Sequence, residues 1–436
     1  MADSRKAALT VLERCRRGGA WSDAVLGSVM DGEGLKERDR ALCAAICYGV
    51  LQNTLLLDHV IAECSSAPLR KIEPKVLDLL RITAFQLIFM DRIPAAAAVD
   101  SAVRLSRELG YHRASGFVNA VARRISEGAY TIPQGSDAES VSVRRSHPLW
   151  LTERMLALLG GEETEAFFRC NNSPVPITLQ TNTLRTDTET LLSALAARGV
   201  EAERHPFVPD CILMTSGNVG ALPEFRNGDF YVQDAAAKLS VLAAAPQRGW
   251  RILDACAAPG GKSFAAAIVS GGAEITACDL HENKLGRIRD GAQRLGIAEI
   301  ELRAADARTP IPEYMERFDL VIADVPCSGL GVIRKKPDIR SKDPAALAAL
   351  PEIQSEILRN LSAYVRPGGT LLYSTCTVLP EENAGVCERF LRESADYAME
   401  DFRLPGGLQS DGGMLQLWPQ RHGTDGFFIA KMRKRK

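Results

Sequence analysis

From Arg5 to about Ile125 the apolar positions recur at helical spacing. Ala8, Val11, Leu12 and Cys15 share one face, residues 41–64 form a long apolar-rich run, and Val76, Leu77, Leu80, Ile82 and Phe85 continue the period before residues 98–109 and 115–125 close it. The pattern predicts an all-α domain of about five to seven helices over residues 1–127. Residues 128–148, with Pro133, Gly135 and Ser136, read as a linker. Over 149–233 the pattern is mixed: a helix at 149–170, an alternating strand at 177–184, an amphipathic helix at 186–198 behind a Thr/Asp cap, and a short strand at 211–214, together a small α+β domain. In the last stretch, 234–436, strands at 252–255, 274–278, 300–302, 320–323 and 370–374 alternate with helices at 264–269, 283–295, 345–364 and 383–391. Such alternation predicts a Rossmann-like α/β domain with a doubly wound, mostly parallel sheet, with residues 426–432 as an antiparallel edge strand.

The chemistry gathers where two of these strands run out. Phe318, Asp319, Leu320, Val321, Ile322, Ala323, Asp324, Val325, Pro326, Cys327, Ser328, Gly329, Leu330 and Gly331 read as a buried strand ending in a tight loop with a carboxylate and a thiol together. A second strand of the same design, from Gly369 to Tyr373, ends in Ser374, Thr375, Cys376 and Thr377. Open α/β sheets place their ligands outside the carboxyl ends of their strands.

Length and composition narrow the class only slightly. A chain of 436 residues is too long for one core. Its formal charge of −1 neither supports nor excludes a nucleic-acid partner, so any basic surface is local. The N-terminal cluster of Arg5, Lys6, Arg14, Arg16 and Arg17 reads as a solvated helix face or an RNA contact. The 11 cysteines show no CxxC or Cys/His ligand cluster, so no metal site and no disulfide framework are expected, and free thiols point to a reducing cytosol. No signal-peptide pattern follows Met1 and no apolar run approaches spanning length, so no membrane partner is expected.

The first strand of the α/β domain runs into Asp254, Ala255, Cys256, Ala257, Ala258, Pro259, Gly260, Gly261, Lys262 and Ser263. Its end imitates a P-loop, but Cys256 stands where that motif needs glycine, and GxGxxG is absent. Asp279 follows about twenty residues on, the spacing at which a carboxylate meets ribose hydroxyls. Asp306, after the third strand, stands where it could face an adenine amino group. An adenosine cofactor without a pyrophosphate fits better than NAD, and S-adenosylmethionine is the expected one. Helix and turn capping is the bland alternative for Asp254, Asp279 and Asp306.

Most free cysteines are small buried hydrophobes. Cys327 and Cys376 differ by their place beside the cofactor cleft. A methyl acceptor that needs a thiol is a pyrimidine carbon, because thiolate addition at C6 of cytosine makes C5 nucleophilic. Asp324 is the candidate to hydrogen-bond ring N3. Chemistry alone leaves either cysteine as the nucleophile.

These residues resemble those of the bacterial 16S ribosomal RNA cytosine-C5 methyltransferases of the Sun/Fmu type, within the NOL1/NOP2/Sun class. Residues 254–262 look like that family's S-adenosylmethionine loop, 324–331 like its PCSG motif, and Thr375, Cys376 and Thr377 with Glu381, Glu382 and Asn383 like its TCS and EEN motif. Gly228 to Ala236 look like its QDAA segment, His422 to Phe427 like its terminal signature, and Leu80 to Gln86, Arg92 to Pro94 and Gly116 to Ala120 like a NusB-like RNA-binding domain. The resemblance implies that Cys256, Ala257, Ala258, Pro259, Gly260, Gly261, Lys262, Asp279, Asp306 and Asp324 contact S-adenosylmethionine, that Cys376 is the nucleophile, and that Cys327 helps release the product. It implies a 16S rRNA substrate, naked or in a partly assembled small subunit, and a monomeric cytoplasmic enzyme. Gln180, Lys284, Leu330 and Ser341 depart from the family pattern. Arg334, Lys335 and Lys336 are candidates for phosphate contacts or a solvated basic turn. Two alternatives remain open: a NusB-like binding factor with an inactive methyltransferase domain, and methylation of another RNA such as tRNA. An NAD-dependent oxidoreductase is disfavoured by the missing GxGxxG.

Overall fold

The computed structural model describes residues 3–18, 22–215, 217–297 and 300–436. The chain divides into two compact units, Met1–Ser173 with Lys335–Lys342, and Pro174–Arg334 with Asp343–Lys436.

The first unit is helical. Helices Ser4–Gly18, Ser22–Gly32, Glu37–Cys64, Pro74–Phe89, Ala95–Glu108 and Ser115–Ser126 realise the predicted periodicity. Their apolar stripes, among them Leu9, Val11, Ile46, Val50, Leu57, Ile61, Leu79, Leu80, Leu105 and Val118, form one core. Each side chain of this size taken fully from water contributes roughly 1.5–3 kcal/mol. Pro74 opens its helix at a position where a missing N–H costs nothing, and the Glu73 carboxylate accepts from the Lys75 and Val76 amides. Glu37–Cys64 is long and apolar enough to cross a membrane, contrary to the sequence expectation, but Cys43, Ile46, Val50, Leu57, Val60 and Ile61 are spent on the core. Gly49 makes room within it: a Cβ there would lie 1.9 Å from Phe85 Cζ.

Two local expectations change. The stretch read as a linker contains helix Ala138–Arg145, started by Asp137, whose carboxylate accepts from Ser140 N at 2.8 Å. The helix read at 149–170 is two, Leu149–Leu159 and Gly161–Asn171, broken where Gly160 adopts φ +76°. Their residues Leu151, Met155, Phe167 and Phe168 are fully buried, and both helices belong to the first unit. So does the single-turn segment Pro337–Ser341. Its Arg340 is buried and donates to the carbonyls of Gln52, Ser146 and Asn171 and to Asn172 Oδ1.

The second unit holds two sheets. The smaller has four antiparallel strands in the order β2-β3-β1-β4, with β1 Ile177–Thr181, β2 Ala202–Arg204, β3 Cys211–Met214 and β4 Phe230–Val232. The larger runs β10-β12-β9-β8-β5-β6-β7, with β11 also paired to β12. Its strands are β5 Arg251–Asp254, β6 Glu274–Asp279, β7 Ile300–Ala304, β8 Phe318–Asp324, β9 Val365–Thr375, β10 Tyr397–Met399, β11 Met414–Leu417 and β12 Phe427–Lys434. Strands β9, β8, β5, β6 and β7 are mutually parallel. Strand β12 is antiparallel, as expected, but it is not an edge: β9 lies on one side and β10 on the other. With three and four residues, β10 and β11 are too short for an alternating pattern to announce them.

Candidate active site

Strand β8 is buried along its length except at its last residue, Asp324. A parallel strand covered on both faces reads as an apolar run, here Leu320–Ala323 between two acids: Asp319 at the start is buried and paired with Arg366, and Asp324 lies at the carboxyl end, where the sheet opens. Asp324 is level with Ser374 on β9, and Ser374 Oγ donates to Asp324 Oδ1 at 2.8 Å. Lys262 Nζ pairs with Asp324 Oδ2 at 2.6 Å. Lys262 stands in the first turn of helix Gly261–Ser270, is itself buried, and lies 5.0 Å from the centroid of the Phe427 ring.

Past Asp324 the chain forms a loop laced to the end of β9. Val325 N donates to Ser374 O, Gly331 N to Cys376 O, and Gly426 N to Gly331 O. The approach at Gly331 leaves no space for a side chain, since a Cβ would lie 1.8 Å from Gly426 O. Lacing these segments brings Cys327 Sγ to 3.3 Å from Cys376 Sγ, across 49 positions of sequence. At that distance one thiol donates to the other sulfur. The bond from Cys327, assisted by the Lys262 ammonium, holds the Cys376 thiol below its ordinary value, against its burial and the carboxylates of Asp324 and Asp425. The same bond pushes Cys327 well up, helped by burial and by Glu382 and Asp324. Lys262 lowers Cys376 and Glu382 raises Cys327, so the charges around the two sulfurs differ in sign.

In sequence Glu382 and Asn383 stand in the EEN motif with no assigned role. Glu382 is buried. Its Oε2 accepts from Ser328 N at 2.8 Å and from Gln354 Nε2 at 2.9 Å, and its Oε1 from Thr377 Oγ1 at 3.3 Å. Its carbonyl accepts from Tyr373 OH at 2.6 Å. Ser328 and Thr377 also share a hydroxyl bond of 2.6 Å. Asn383 accepts from Thr375 Oγ1 at 2.6 Å and donates to Thr377 O at 3.2 Å. Gln354, in mid-helix, carried no sequence signal at all.

The aspartates at strand ends separate into different environments. Asp254 is level with Ile322 and Ala277, two residues short of Asp324 and Asp279. It is buried beneath the loop that follows and accepts from Ser263 Oγ at 2.7 Å. Burial raises its carboxyl to about 6. Asp279, at the end of β6, accepts from Ala258 N at 3.2 Å and His281 N at 3.0 Å, with Lys284 Nζ at 3.8 Å. Asp306 is gripped by Arg308 at 2.8 Å, which holds its carboxyl low despite partial burial. Burial pushes the Cys256 thiol up, so it is a neutral small side chain at the turn.

This donor set fits an adenosyl ligand. Strands β8, β5, β6 and β7 are successive neighbours, and parallel strands lie about 4.8 Å apart, so Asp324, Asp279 and Asp306 mark a row roughly 14 Å long, the reach of an extended nucleoside with an amino-acid tail. The glycines argue against a phosphate cradle: a Cβ on Gly260 would meet the Phe264 ring at 2.5 Å, and one on Gly261 would meet Gln233 Nε2 at 2.7 Å. They are packed against protein and do not lie open to a pyrophosphate.

Other candidates take structural work. Arg5 donates to Gln86 Oε1 at 2.7 Å, Arg16 pairs with Asp78 at 3.1 Å, and Arg17 with Glu13 at 2.9 Å, while Lys6 and Arg14 are exposed. Arg334 donates to the Pro174 carbonyl, and Lys336 is exposed. Gln180 is buried and donates to Gln233 O at 3.0 Å. Among the described residues no group of three or more His, Cys, Asp or Glu could hold a metal ion.

Comparisons with known proteins place three family models along the chain. Residues 241–433 match the family described as 16S rRNA methyltransferase RsmB/F, residues 2–127 the NusB family, and residues 147–219 the ferredoxin-like domain of RsmF/B-like methyltransferases. A probable ribosomal RNA small subunit methyltransferase B of Bacillus subtilis is 36% identical over 99% of this chain and 98% of its own length. One of the same description from Synechocystis is 32% identical over the whole of both chains. The solved structure titled PH0851 superposes with a TM-score of 0.82 at 26% identity, over 99% of each chain.

Proposed function

Because the chain belongs to the RsmB/F family of S-adenosylmethionine-dependent rRNA methyltransferases, we propose that it methylates C5 of a specific cytosine in 16S rRNA through a covalent bond from Cys376 to C6 of the base. The observation that carries this reading is the pair of strand-end sulfurs 3.3 Å apart beside the Lys262–Asp324 ion pair. Bound S-adenosylmethionine supplies an electrophilic methyl group. The residues assigned to hold it are Cys256, Ala257, Ala258, Pro259, Gly260, Gly261 and Lys262 in the turn, with Asp279, Asp306 and Asp324 at the strand ends.

The chain's own residues then divide the work. Cys376, held toward thiolate by Cys327 and Lys262, adds to C6 and pushes electron density to C5. As Cys376 adds, ring N3 takes up a proton, and the Asp324 carboxylate, fixed by Ser374 and Lys262, accepts from the N3–H so formed and stabilises the adduct. After C5 is methylated its proton passes to a base, the C5–C6 double bond re-forms, and the C6–S bond breaks to return Cys376. Cys327, 3.3 Å from that sulfur, is the group placed to assist release. A base must leave its stack to reach two buried strand ends, which favours an unpaired or flipped cytosine. The NusB-type helical unit supplies the RNA-binding module of this reading. The substrate is free 16S rRNA or a partly assembled small subunit, which places the reaction in the cytoplasm.

The test is a denaturing gel of wild type, Cys327→Ala and Cys376→Ala after incubation with S-adenosylmethionine and 16S rRNA, with methyl transfer followed by radiolabel. Cys327→Ala is expected to accumulate a protein band carrying RNA, and Cys376→Ala to give neither adduct nor methylation. Exchanged phenotypes would reverse the two cysteine roles. Absence of both adduct and methyl transfer in wild type would favour an RNA-binding factor.

A further inference from the structure

We propose that Glu382 is a positioning residue that decides which sulfur of the pair keeps the proton, by clasping both cysteine loops and setting its negative charge on the Cys327 side. The inference rests on the reading of Cys376 as nucleophile, but its test does not require that reading.

Three observations meet at this side chain. Its carboxylate bonds the amide of Ser328, next to Cys327, and the hydroxyl of Thr377, next to Cys376, so one rigid group fixes the two loops against each other. The carboxylate is buried and oriented by Gln354 Nε2, and its main chain is pinned by Tyr373, so its place leaves little freedom. The charged groups facing the sulfurs are distributed unevenly. Glu382 Oε2 accepts from Ser328 N at 2.8 Å and from Gln354 Nε2, which also donates to Pro326 O, so it is tied to both neighbours of Cys327, whereas a single longer bond of 3.3 Å reaches Thr377 beside Cys376. In keeping with that placement, Glu382 and Asp324 raise Cys327, while at Cys376 Lys262 lowers against Asp324 and Asp425. Asp324 is common to both sulfurs, and Asp425 on the Cys376 side is opposed there by the Lys262 ammonium. A negative charge tied to both neighbours of Cys327 makes a proton on that sulfur cheaper than one on Cys376. A buried charge of this kind is screened less than one at the surface. The consequence is a nucleophile generated without a histidine or any other separate base: the second cysteine stores the proton.

The experiment is site-resolved alkylation of the full chain by iodoacetamide across pH, read by mass spectrometry, on wild type, Glu382→Gln and Thr377→Val. Glutamine can keep the clasp, its amide oxygen taking the Ser328 amide and its NH2 donating to Thr377 Oγ1, while removing the charge. Wild type is expected to alkylate Cys376 ahead of Cys327. In Glu382→Gln the Cys376:Cys327 ratio falls about tenfold, the change that one unit of relative acidity gives. Alkylation of the pair also begins at lower pH, because a negative neighbour has gone. This combination, earlier but less selective, is not produced by mere loosening, and kcat for methyl transfer falls with KM unchanged. Thr377→Val, which keeps the charge but cuts one arm of the clasp, lowers the ratio a few-fold and covers the case in which Glu382→Gln does not fold. An unchanged ratio in the folded variants, or equal reactivity of the two cysteines in wild type, overturns the proposal. A shifted ratio in a protein that forms no RNA adduct leaves Glu382 in its role and removes the covalent reading instead.

Discussion

Gly331→Ala tests the lacing of the two cysteine loops directly. An added Cβ would lie 1.8 Å from Gly426 O and 2.9 Å from Cys376 O, both backbone atoms with no flexible end to swing aside. Real contacts of this kind stay near 3 Å or beyond, so the loops must separate by roughly 1 Å. Overpacking of that kind costs about 1–3 kcal/mol. The shift also strains Gly331 N to Cys376 O at 3.0 Å and Gly426 N to Gly331 O at 2.9 Å, about 1 kcal/mol each if lost. A total near 3 kcal/mol corresponds to roughly 6–12 °C in the melting temperature of a unit of this size. Gly286→Ala is the control. It lies inside helix Glu282–Leu295 with nothing within 4 Å of a built Cβ, so the change should stabilise by about 0.5–1 kcal/mol. Scanning calorimetry of both variants, with methyl transfer measured below the transition, gives the comparison. A misplacement of 1 Å at a reacting centre can cost about a hundredfold in rate, so Gly331→Ala should be both less stable and nearly inactive. If it melts within about 2 °C of wild type and transfers methyl groups normally, the tight approach at Gly331 is not what holds the cysteines together.

Three further outcomes follow from the same geometry. Asp254, raised to about 6 by burial, holds its proton more tightly folded than unfolded, so its contribution is full below about pH 4 and disappears as pH rises through 6. Urea unfolding should show about 1 kcal/mol more stability from this group at pH 5 than at pH 7, a slope that Asp254→Asn abolishes and that an unchanged slope would refute. Arg340→Lys replaces a fork that serves four acceptors in the first unit by a single ammonium, and should destabilise that unit by about 2–4 kcal/mol in calorimetry; a shift below about 1 °C would show the fork to be dispensable. Lys262→Met removes the partner 2.6 Å from Asp324 and the cation beside Cys376. It should move iodoacetamide labelling of Cys376 to higher pH and lower methyl transfer by on the order of a hundredfold, whereas unchanged labelling would place the cation's influence elsewhere.

Several features could be read before any coordinates because they are properties of neighbouring residues. Apolar repeats at helical spacing announce the helices from Ser4 to Ser126, and buried parallel strands leave unbroken apolar runs, so Asp324 and Cys376 stand out at their ends. Absence of GxGxxG, with Asp279 one strand further on, pointed to an adenosyl group. Short strands such as Tyr397–Met399 and Met414–Leu417 leave no pattern, so β12 reads as an edge in sequence although it has strands on both sides. The helix at Ala138–Arg145 was hidden for a similar reason, its few apolar residues lying among linker-like ones. Gly160 was legible as a glycine but not as a break, because only its positive φ divides the two helices.

What the sequence determined by itself is the set of chemical groups and the strand or helix on which each stands, because propensity and periodicity act over a few residues. Which groups meet was decided only by the order β9-β8-β5 and by the loop closures over it. That order brings two sulfurs 49 positions apart to 3.3 Å and seats Lys262 on Asp324. It also turns Glu382, which the sequence marks only as part of a motif, into a buried clasp between them. Electrostatics in a protein depends on distance and on exclusion of water, and both are set by contacts between residues far apart in the chain.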